Sequence, residues 1–150
     1  HVLYKGCLFM VVGAIDHATG TRDLRQLGGL WRRDRLLGGI TLVACASMAG
    51  LPFTTGFISK EATLAEMLTG AQGSPGTFAL GCVLLTSVAK IVFSARVFAG
   101  AFLGRETATV KEHFHRPGRG LLVPPLLLAL AIPVLGVFPG LLDGPLACLG

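Results

Sequence analysis

The stretch LPFTTGFISKEA, residues 51–62, decides the fold that the sequence predicts. It lies inside an apolar block from about Leu36 to Leu68, and it places Lys60 where a membrane segment should still be apolar. A single helix over this block would be roughly 50 Å long, whereas the hydrocarbon core of a bilayer is about 30 Å thick. Because a proline and a glycine lie near its middle, we predict a discontinuous helix, broken near residues 52–56.

The whole chain has the composition of a membrane protein. Of its 150 residues, 52% are hydrophobic and 14% are charged, whereas about a quarter of the residues of a soluble domain are charged. The apolar residues form long blocks, which predict helix segments at about 1–15, 36–68, 77–103 and 121–142, the first too short to span a bilayer alone. We therefore predict an all-α membrane protein, a polytopic bundle of transmembrane helices in which residues 1–150 belong to a single transmembrane domain.

The basic residues are concentrated in two segments, 16–37 and 104–120, whereas the connection at 70–76 carries no charge. Two predicted spans separate the basic segments, so we expect both on one side of the membrane, which the positive-inside rule makes the cytoplasmic side. The expected location is the plasma or inner membrane. Basic loops beside spans also account for the formal net charge of +5, so we predict no binding of nucleic acid.

The residues around Lys60 allow two interpretations. In the first, the span ends near Pro52 and Lys60 belongs to an outside loop. In the second, apolar residues continue at helical spacing after Gly56, and Lys60 lies in the first turn of a second half-helix. A cation is disfavoured at a helix N-terminus, and half-helix ends bind ions in transporters. Glu61 and Glu66 are then the expected counter-charges.

Other ionisable residues lie in or beside the apolar blocks. His1 and Lys5 are four residues apart and so share one helix face, and ionisable residues inside a membrane are functional candidates. Alternatively, Lys5 reaches a membrane interface if its helix begins near residue 1. Lys90, about halfway along the third block, is a secondary candidate. His17 is another, because with Asp16 it either caps a helix end or lines a path for water.

Soluble-type catalysis has no support in the sequence. The motifs GxSxG, GxGxxG and HExxH and the P-loop do not occur. His113 and His115 flank a phenylalanine, but a metal site would need two further ligands. We expect no metal and no cofactor, and no enzymatic activity of the soluble type.

Two stretches resemble a known family: HVLYKGCLFMVVGAIDHATGTRDLRQLGGL, residues 1–30, and ASMAGLPFTTGFISKEA, residues 46–62. They are similar to the antiporter-type membrane subunits, which include the large subunit of Mrp multisubunit Na⁺/H⁺ antiporters, called A, and the 5/L-type subunit of NADH–quinone oxidoreductase. HxxxK, a histidine further along the helix, LGGL and GFxSK occur in the family's order and spacing. The residues of both stretches are more similar to the Mrp subunit than to the respiratory subunit. The resemblance covers nearly the whole chain and is strongest over residues 1–68.

The resemblance implies an inverted-repeat fold whose first repeat would lie upstream of this chain. It implies that Lys60 is a terminal proton-transfer lysine on a discontinuous helix, with His1 and Lys5 in a hydrated polar chain that leads to it. The implied function is proton translocation in a cation (Na⁺)/proton antiporter, with other membrane subunits, protons, Na⁺ and the lipid bilayer as partners. The alternative is a non-redox, proton-pumping subunit of NADH–quinone oxidoreductase. A purely structural membrane subunit is a third hypothesis, against which Lys60 and Lys5 argue.

Overall fold

A computed structural model of the chain describes residues 2–70, 74–138 and 140. This part of the chain forms helices and contains no strand. In chain order the helices are α1 (Val2–Thr19), α2 (Leu30–Arg33), α3 (Arg35–Ala49), α4 (Thr55–Gly70), α5 (Ser74–Phe102), α6 (Ala108–His113) and α7 (Arg119–Val137). The all-α class is therefore confirmed. The end of the predicted segment 121–142 lies outside the described residues.

Three helices are long and apolar enough to cross a membrane: α1, most of α5 (Gly76–Phe102) and α7. Long helices that are apolar over most of their surface are stable in a bilayer, where their backbone polar groups are satisfied internally. Exposed apolar side chains cover α5, including Phe78 and Leu85, which are 75% and 72% exposed. Such a surface needs lipid or other helices against it. The chain thus has the architecture of a multi-pass membrane protein.

The predicted discontinuous helix is also present, as α3 and α4. Helices of 15 and 16 residues are about 22 and 24 Å long, so neither crosses a core of about 30 Å by itself. The interruption covers residues 50–54, two residues earlier than the predicted 52–56. The difference arises at Gly50, which ends α3 in the left-handed conformation, with φ 80° and ψ 40°, as glycine commonly does after a helix.

Helix α1 is longer than the predicted segment 1–15. It continues to Thr19, whose hydroxyl donates to the carbonyl of Ile15 at 2.8 Å. The helix stops at Gly20, where the backbone N–H donates to the carbonyl of Asp16. The expectation that the first block is too short to span a membrane was therefore wrong, since the polar residues at its end are helical too.

The helices share one core in which α3 is central. α1 packs along α7 and against α3, and α3 also contacts α5 and α7. Most of the core residues are small or aliphatic; they include Cys7, Val11, Ala14, Leu37, Ala44 and Ile132. Trp31 of α2 adds an aromatic contact, edge-on to Phe98 of α5, which stacks on Phe102.

The two basic segments come together at one end of the bundle. Arg33 forms an ion pair with Glu106 at 3.1 Å, and the hydroxyl of Thr107 donates to the carbonyl of Gln26 at 2.6 Å. Short helices lie within both segments, α2 in the first and α6 in the second. Residues 16–37 and 104–120 therefore form one continuous polar end.

Candidate functional site

Lys60 lines a cavity of about 270 Å³ that α1, α3, α4 and α5 enclose. We call it the lysine cavity. Its wall includes the carboxyl end of α3, the first turns of α4 and the middle of α5. Lys60 is only partly exposed, although it is charged and lies on an otherwise exposed part of α4. The loop interpretation of Lys60 is therefore wrong, because the residue lies within a helix and faces a cavity between helices.

Lys60 extends from α4 to the end of α3. A Cβ atom placed on Gly50 would lie 3.2 Å from Lys60 Cδ and 3.8 Å from its Nζ. Gly50 is the residue after the last turn of α3, where its N–H donates to the carbonyls of Ala46 and Ser47. The negative end of a helix dipole attracts a cation by about 0.3–1 kcal/mol. The side chain of Lys60 therefore lies beside the end of α3 that attracts cations.

This arrangement corrects the expected position of Lys60 relative to α4. The helix begins at Thr55, so Lys60 lies in its second turn and not in its first. The dipole effect falls off within the first turn, so the amino end of α4 opposes the ammonium group less than expected. The helix end nearer to the Lys60 side chain is the carboxyl end of α3, which carries a partial negative charge.

The two half-helices touch where α4 begins. The N–H of Gly56 donates to Ser47 Oγ at 3.3 Å, and Thr55 Oγ1 lies 3.4 Å from the same hydroxyl. A Cβ atom on Gly56 would overlap the carbonyl oxygen of Ser47, so this close approach requires glycine. Within the interruption, Thr54 Oγ1 donates to the carbonyl of Leu51 at 2.6 Å. Hydroxyl groups thus take over part of the backbone hydrogen bonding that the broken helix loses.

Hydroxyl groups also line the wall of the lysine cavity. Thr63 donates to the carbonyl of Ser59, Thr86 to that of Cys82 and Ser87 to that of Val83, at 2.7–2.9 Å. A hydroxyl has one hydrogen and two lone pairs. Because the hydrogen is used within the helix, each oxygen keeps acceptor capacity. The cavity therefore offers acceptors to an ammonium group or to water.

Lys90 of α5 lines the same cavity as Lys60. Cys82, Thr86 and Lys90 are spaced by four residues and so lie along one face of α5. Ser94 continues this row, and its hydroxyl donates to the carbonyl of Lys90 at 2.8 Å. The structure thus brings together two lysines that are 30 positions apart in the sequence.

Lys5 lies on a different surface from Lys60. It is exposed and borders a groove of about 420 Å³ between α1, α3 and α5, lined mainly by aliphatic and aromatic side chains. Its neighbour Tyr4 lines the lysine cavity instead, because adjacent residues of a helix point about 100° apart. His1, the partner expected for Lys5, lies outside the described residues.

The remaining sequence candidates are at the surface. Glu61 and Glu66 are exposed on α4, and neither forms an ion pair with Lys60 in the described structure. They are therefore not the counter-charges that the sequence suggested. His17 is exposed at the polar end, in a groove that also contains His113 and His115. Among the described residues, no group of His, Cys, Asp and Glu is placed to hold a metal ion.

Sequence reasoning missed the hydroxyl residues of the lysine cavity. Ser47, Ser59, Thr63, Thr86 and Ser87 line the wall, but hydroxyl residues are common in membrane helices, where they bond to their own backbone. One sequence signal was available. Ser59 is four residues from Thr63, and Thr86 is four residues from Lys90, so each pair shares one face of its helix. No sequence pattern singled out Gly50, because its contact with the Lys60 side chain is visible only in the tertiary structure.

Taken together, the fold is that of a polytopic membrane domain with a lysine at the break of a discontinuous helix. Comparison with known families agrees with this class. The family described as "NADH:quinone oxidoreductase/Mrp antiporter, TM" matches residues 1–89. The chain belongs to this family.

Curated relatives cover almost the whole chain. The probable A/B component of a K⁺/H⁺ antiporter of Rhizobium meliloti is 36% identical over 146 residues, which are 97% of this chain and 15% of that protein. The A1 component of an Na⁺/H⁺ antiporter of Staphylococcus saprophyticus is 36% identical over an alignment of 151 positions, which covers 96% of this chain and 19% of that protein. The chain therefore spans less than a fifth of the length of these relatives.

A solved structure has the same fold. The chain superposes on one chain of the Mrp complex from Dietzia sp. with a TM-score of 0.79 and 23% sequence identity. The match covers 95% of this chain and 34% of the other. The antiporter-type fold that the resemblance implied is thereby confirmed.

Proposed function

We propose that this chain is part of the proton path in the membrane domain of a cation/proton antiporter, where Lys60 carries the proton. The observation that carries the proposal is the position of Lys60 at the break of the discontinuous helix, in a cavity lined by hydroxyl groups. Ionisable side chains inside a membrane domain mark ion paths, and broken helices place such groups next to helix ends.

The immediate surroundings support proton exchange by Lys60. The ammonium form is attracted by the carboxyl end of α3 beside Gly50, and the hydroxyl oxygens of the cavity can accept hydrogen bonds from it. Lys90 lines the same cavity. A helix end, hydroxyl acceptors and a second lysine around one cavity suit a group that has to take up and release a proton.

Lys90 is proposed as the second proton-carrying group of the cavity. Lys5 and His1 are proposed to belong to the path at the α1 side, although Lys5 borders a separate groove. His17, Glu61 and Glu66 remain secondary candidates at the surface, where they would exchange protons with water. In this scheme protons move laterally between helices, from α1 through α4 to α5.

The proposed co-transported cation is Na⁺, and the proposed partners are other membrane subunits of a hetero-oligomeric complex. The names of the relatives support antiport, since one belongs to a K⁺/H⁺ and another to an Na⁺/H⁺ antiporter. They favour this function over the respiratory alternative. The proposed location is the plasma or inner membrane, with the polar end of residues 16–37 and 104–120 in the cytoplasm.

The test is Lys60→Ala in the full-length protein within its complex. Inverted membrane vesicles are loaded with a pH-sensitive dye, and proton movement is recorded after addition of NaCl or, separately, KCl. We expect Lys60→Ala to abolish the cation-dependent signal while the complex still assembles, as judged by size-exclusion chromatography. The matched control is Lys111→Ala, an exposed lysine of α6 outside the lysine cavity, which should transport normally. Normal transport by Lys60→Ala would disprove the assignment of Lys60 as a proton carrier. A response to KCl alone would show that the transported cation is K⁺ and not Na⁺.

A further inference from the structure

A second polar cavity lies at the basic end of the bundle. Its volume is about 440 Å³. We call it the arginine pocket. Five arginines line it, three from the basic segment 16–37 and two from the basic segment 104–120: Arg32, Arg33, Arg35, Arg116 and Arg119. Residues more than 80 positions apart therefore place their positive charges around one space.

The positive charge of the pocket is largely uncompensated. Arg33 is paired with Glu106, but the other four arginines form no ion pair with any described carboxylate. One acidic residue, Asp34, also lines the pocket. Its side chain accepts from the N–H groups of Leu36 and Leu37 at 3.0 and 3.1 Å and so caps the amino end of α3. Because Asp34 is only 7% exposed, it offers little to a neighbouring arginine.

The pocket lies beside the first residues of two helices, one of which is a candidate membrane span. Arg119 is the first residue of α7, one of the candidate spans, and Arg35 is the first residue of α3. Leu36, Pro117 and Leu122 complete the lining. The pocket thus combines arginines with aliphatic surface at the end of a membrane helix, as a ligand with a charged head and an apolar body requires.

We propose that the arginine pocket binds the headgroup of an anionic phospholipid. Guanidinium groups bind phosphate oxygens in a bidentate manner, and basic pockets between membrane helices on the cytoplasmic side bind anionic headgroups. Phosphate is the chemistry that several unpaired arginines around one space match best. Arginines that served only to orient the chain in the membrane would need to be on the correct side, but they would not need to converge.

The consequence is that anionic lipid holds two distant segments of the chain together. The headgroup would bridge the start of α3, which is the first half of the discontinuous helix, and the start of α7, which packs along α1. Binding of a ligand to the folded state stabilises it. Bound lipid should therefore raise the thermal stability of the complex, independently of whether Lys60 carries protons.

The experiment measures the midpoint of thermal unfolding of the purified, delipidated complex as it is titrated with phosphatidylglycerol. Parallel titrations use phosphatidylcholine and inorganic phosphate. We expect a saturable rise with phosphatidylglycerol and none with the other two. A full rise with inorganic phosphate would overturn the proposal in favour of a soluble anion, and an equal rise with phosphatidylcholine would show that the headgroup charge plays no part.

The pocket variant is Arg116→Gln combined with Arg119→Gln. Each arginine near an anionic membrane surface contributes about 1 kcal/mol, so apparent affinity for phosphatidylglycerol should fall about fivefold per residue and roughly thirtyfold for the pair. The control is Arg25→Gln combined with Arg105→Gln, which removes the same charge from exposed positions outside the pocket. Equal affinity of the pocket variant and the control would overturn the proposal.

A second pair of substitutions guards against failure to fold. Arg116→Lys combined with Arg119→Lys preserves the charge, and hence the orientation in the membrane, but loses bidentate contact with phosphate. We expect this variant to assemble normally and to bind phosphatidylglycerol more weakly than the unaltered complex does. Unchanged affinity here would also contradict the proposed site.

Discussion

Lys60 crosses the break of the discontinuous helix and lies against Gly50. Its Cδ is 3.2 Å and its Nζ 3.8 Å from the point where a Cβ atom of residue 50 would be. The lysine belongs to the second half-helix, and the glycine ends the first. One residue therefore both closes α3 and leaves the space that the ammonium group needs to reach the carboxyl end of that helix.

We predict that Gly50→Ala impairs both stability and transport. The left-handed conformation of residue 50, with φ 80°, costs a residue with a Cβ atom about 1–2 kcal/mol. The new methyl group would also press on Lys60 Cδ and displace its amino group. Thermal unfolding of the complex and cation-dependent proton movement in vesicles measure the two effects.

The control for this prediction is Gly39→Ala. Gly39 lies inside α3, and a methyl group added to it would have no heavy atom within 4 Å from outside the helix backbone around it. Alanine is favoured over glycine in a helix by about 0.5–1 kcal/mol, so stability should stay the same or rise. If Gly50→Ala behaves like Gly39→Ala in both assays, the proposed role of Gly50 is incorrect.

Gly56→Ala is predicted to separate the two half-helices. The added methyl group would overlap the carbonyl oxygen of Ser47, and backbone on both sides has to move to make room. Overpacking of this kind costs about 1–3 kcal/mol, and the hydrogen bond from Gly56 N–H to Ser47 Oγ would be lost. A lower midpoint of thermal unfolding and a lower yield of assembled complex are expected. Gly81→Ala, at an open position of α5, should leave both unchanged, and equal behaviour of the two variants would contradict the close contact.

Lys90→Leu is predicted to slow transport without loss of assembly. The lysine cavity would keep one of its two ammonium groups, so a proton leaving Lys60 would lack its second carrier. We expect a rate about tenfold lower, equivalent to about 1.4 kcal/mol in the barrier. Initial rates of cation-dependent proton movement measure this effect.

Two further substitutions make the test of Lys90 specific. Arg96→Leu removes a positive charge from the same helix at an exposed position that does not line the lysine cavity, so it should transport normally. Lys90→Arg keeps the charge but holds its proton permanently, so it should be as slow as Lys90→Leu. Full activity of Lys90→Arg would mean that the residue supplies charge and not a transferable proton.

Much of the fold could be predicted from local features of the sequence. The length of the apolar block 36–68, with Pro52 and Gly56 near its middle, was sufficient to predict a broken helix, and the break is two residues earlier than expected. The ends of helices were less predictable. α1 extends past Ile15 into polar residues, because a helix end depends on capping contacts that hydropathy does not report.

The site was predictable only in part. Lys60 stood out because a charge after a helix break is rare in a membrane segment. Its counter-charges were predicted wrongly, since Glu61 and Glu66 are on the same helix but are exposed. Proximity in the sequence suggested them, whereas the structure places the Lys60 side chain beside Gly50 at the end of α3.

The sequence by itself determined the membrane class, the helices, the broken helix and the lysine beside the break. These features depend on hydropathy, periodicity and helix-breaking residues, which act within a few turns of the chain. Only the tertiary structure decided that Lys60 reaches Gly50, that Lys90 shares its cavity while Lys5 does not, and that five arginines surround one pocket. Such groupings depend on how helices distant in the sequence pack and rotate against one another. That packing is determined by the contacts of the whole core, which local sequence patterns do not report.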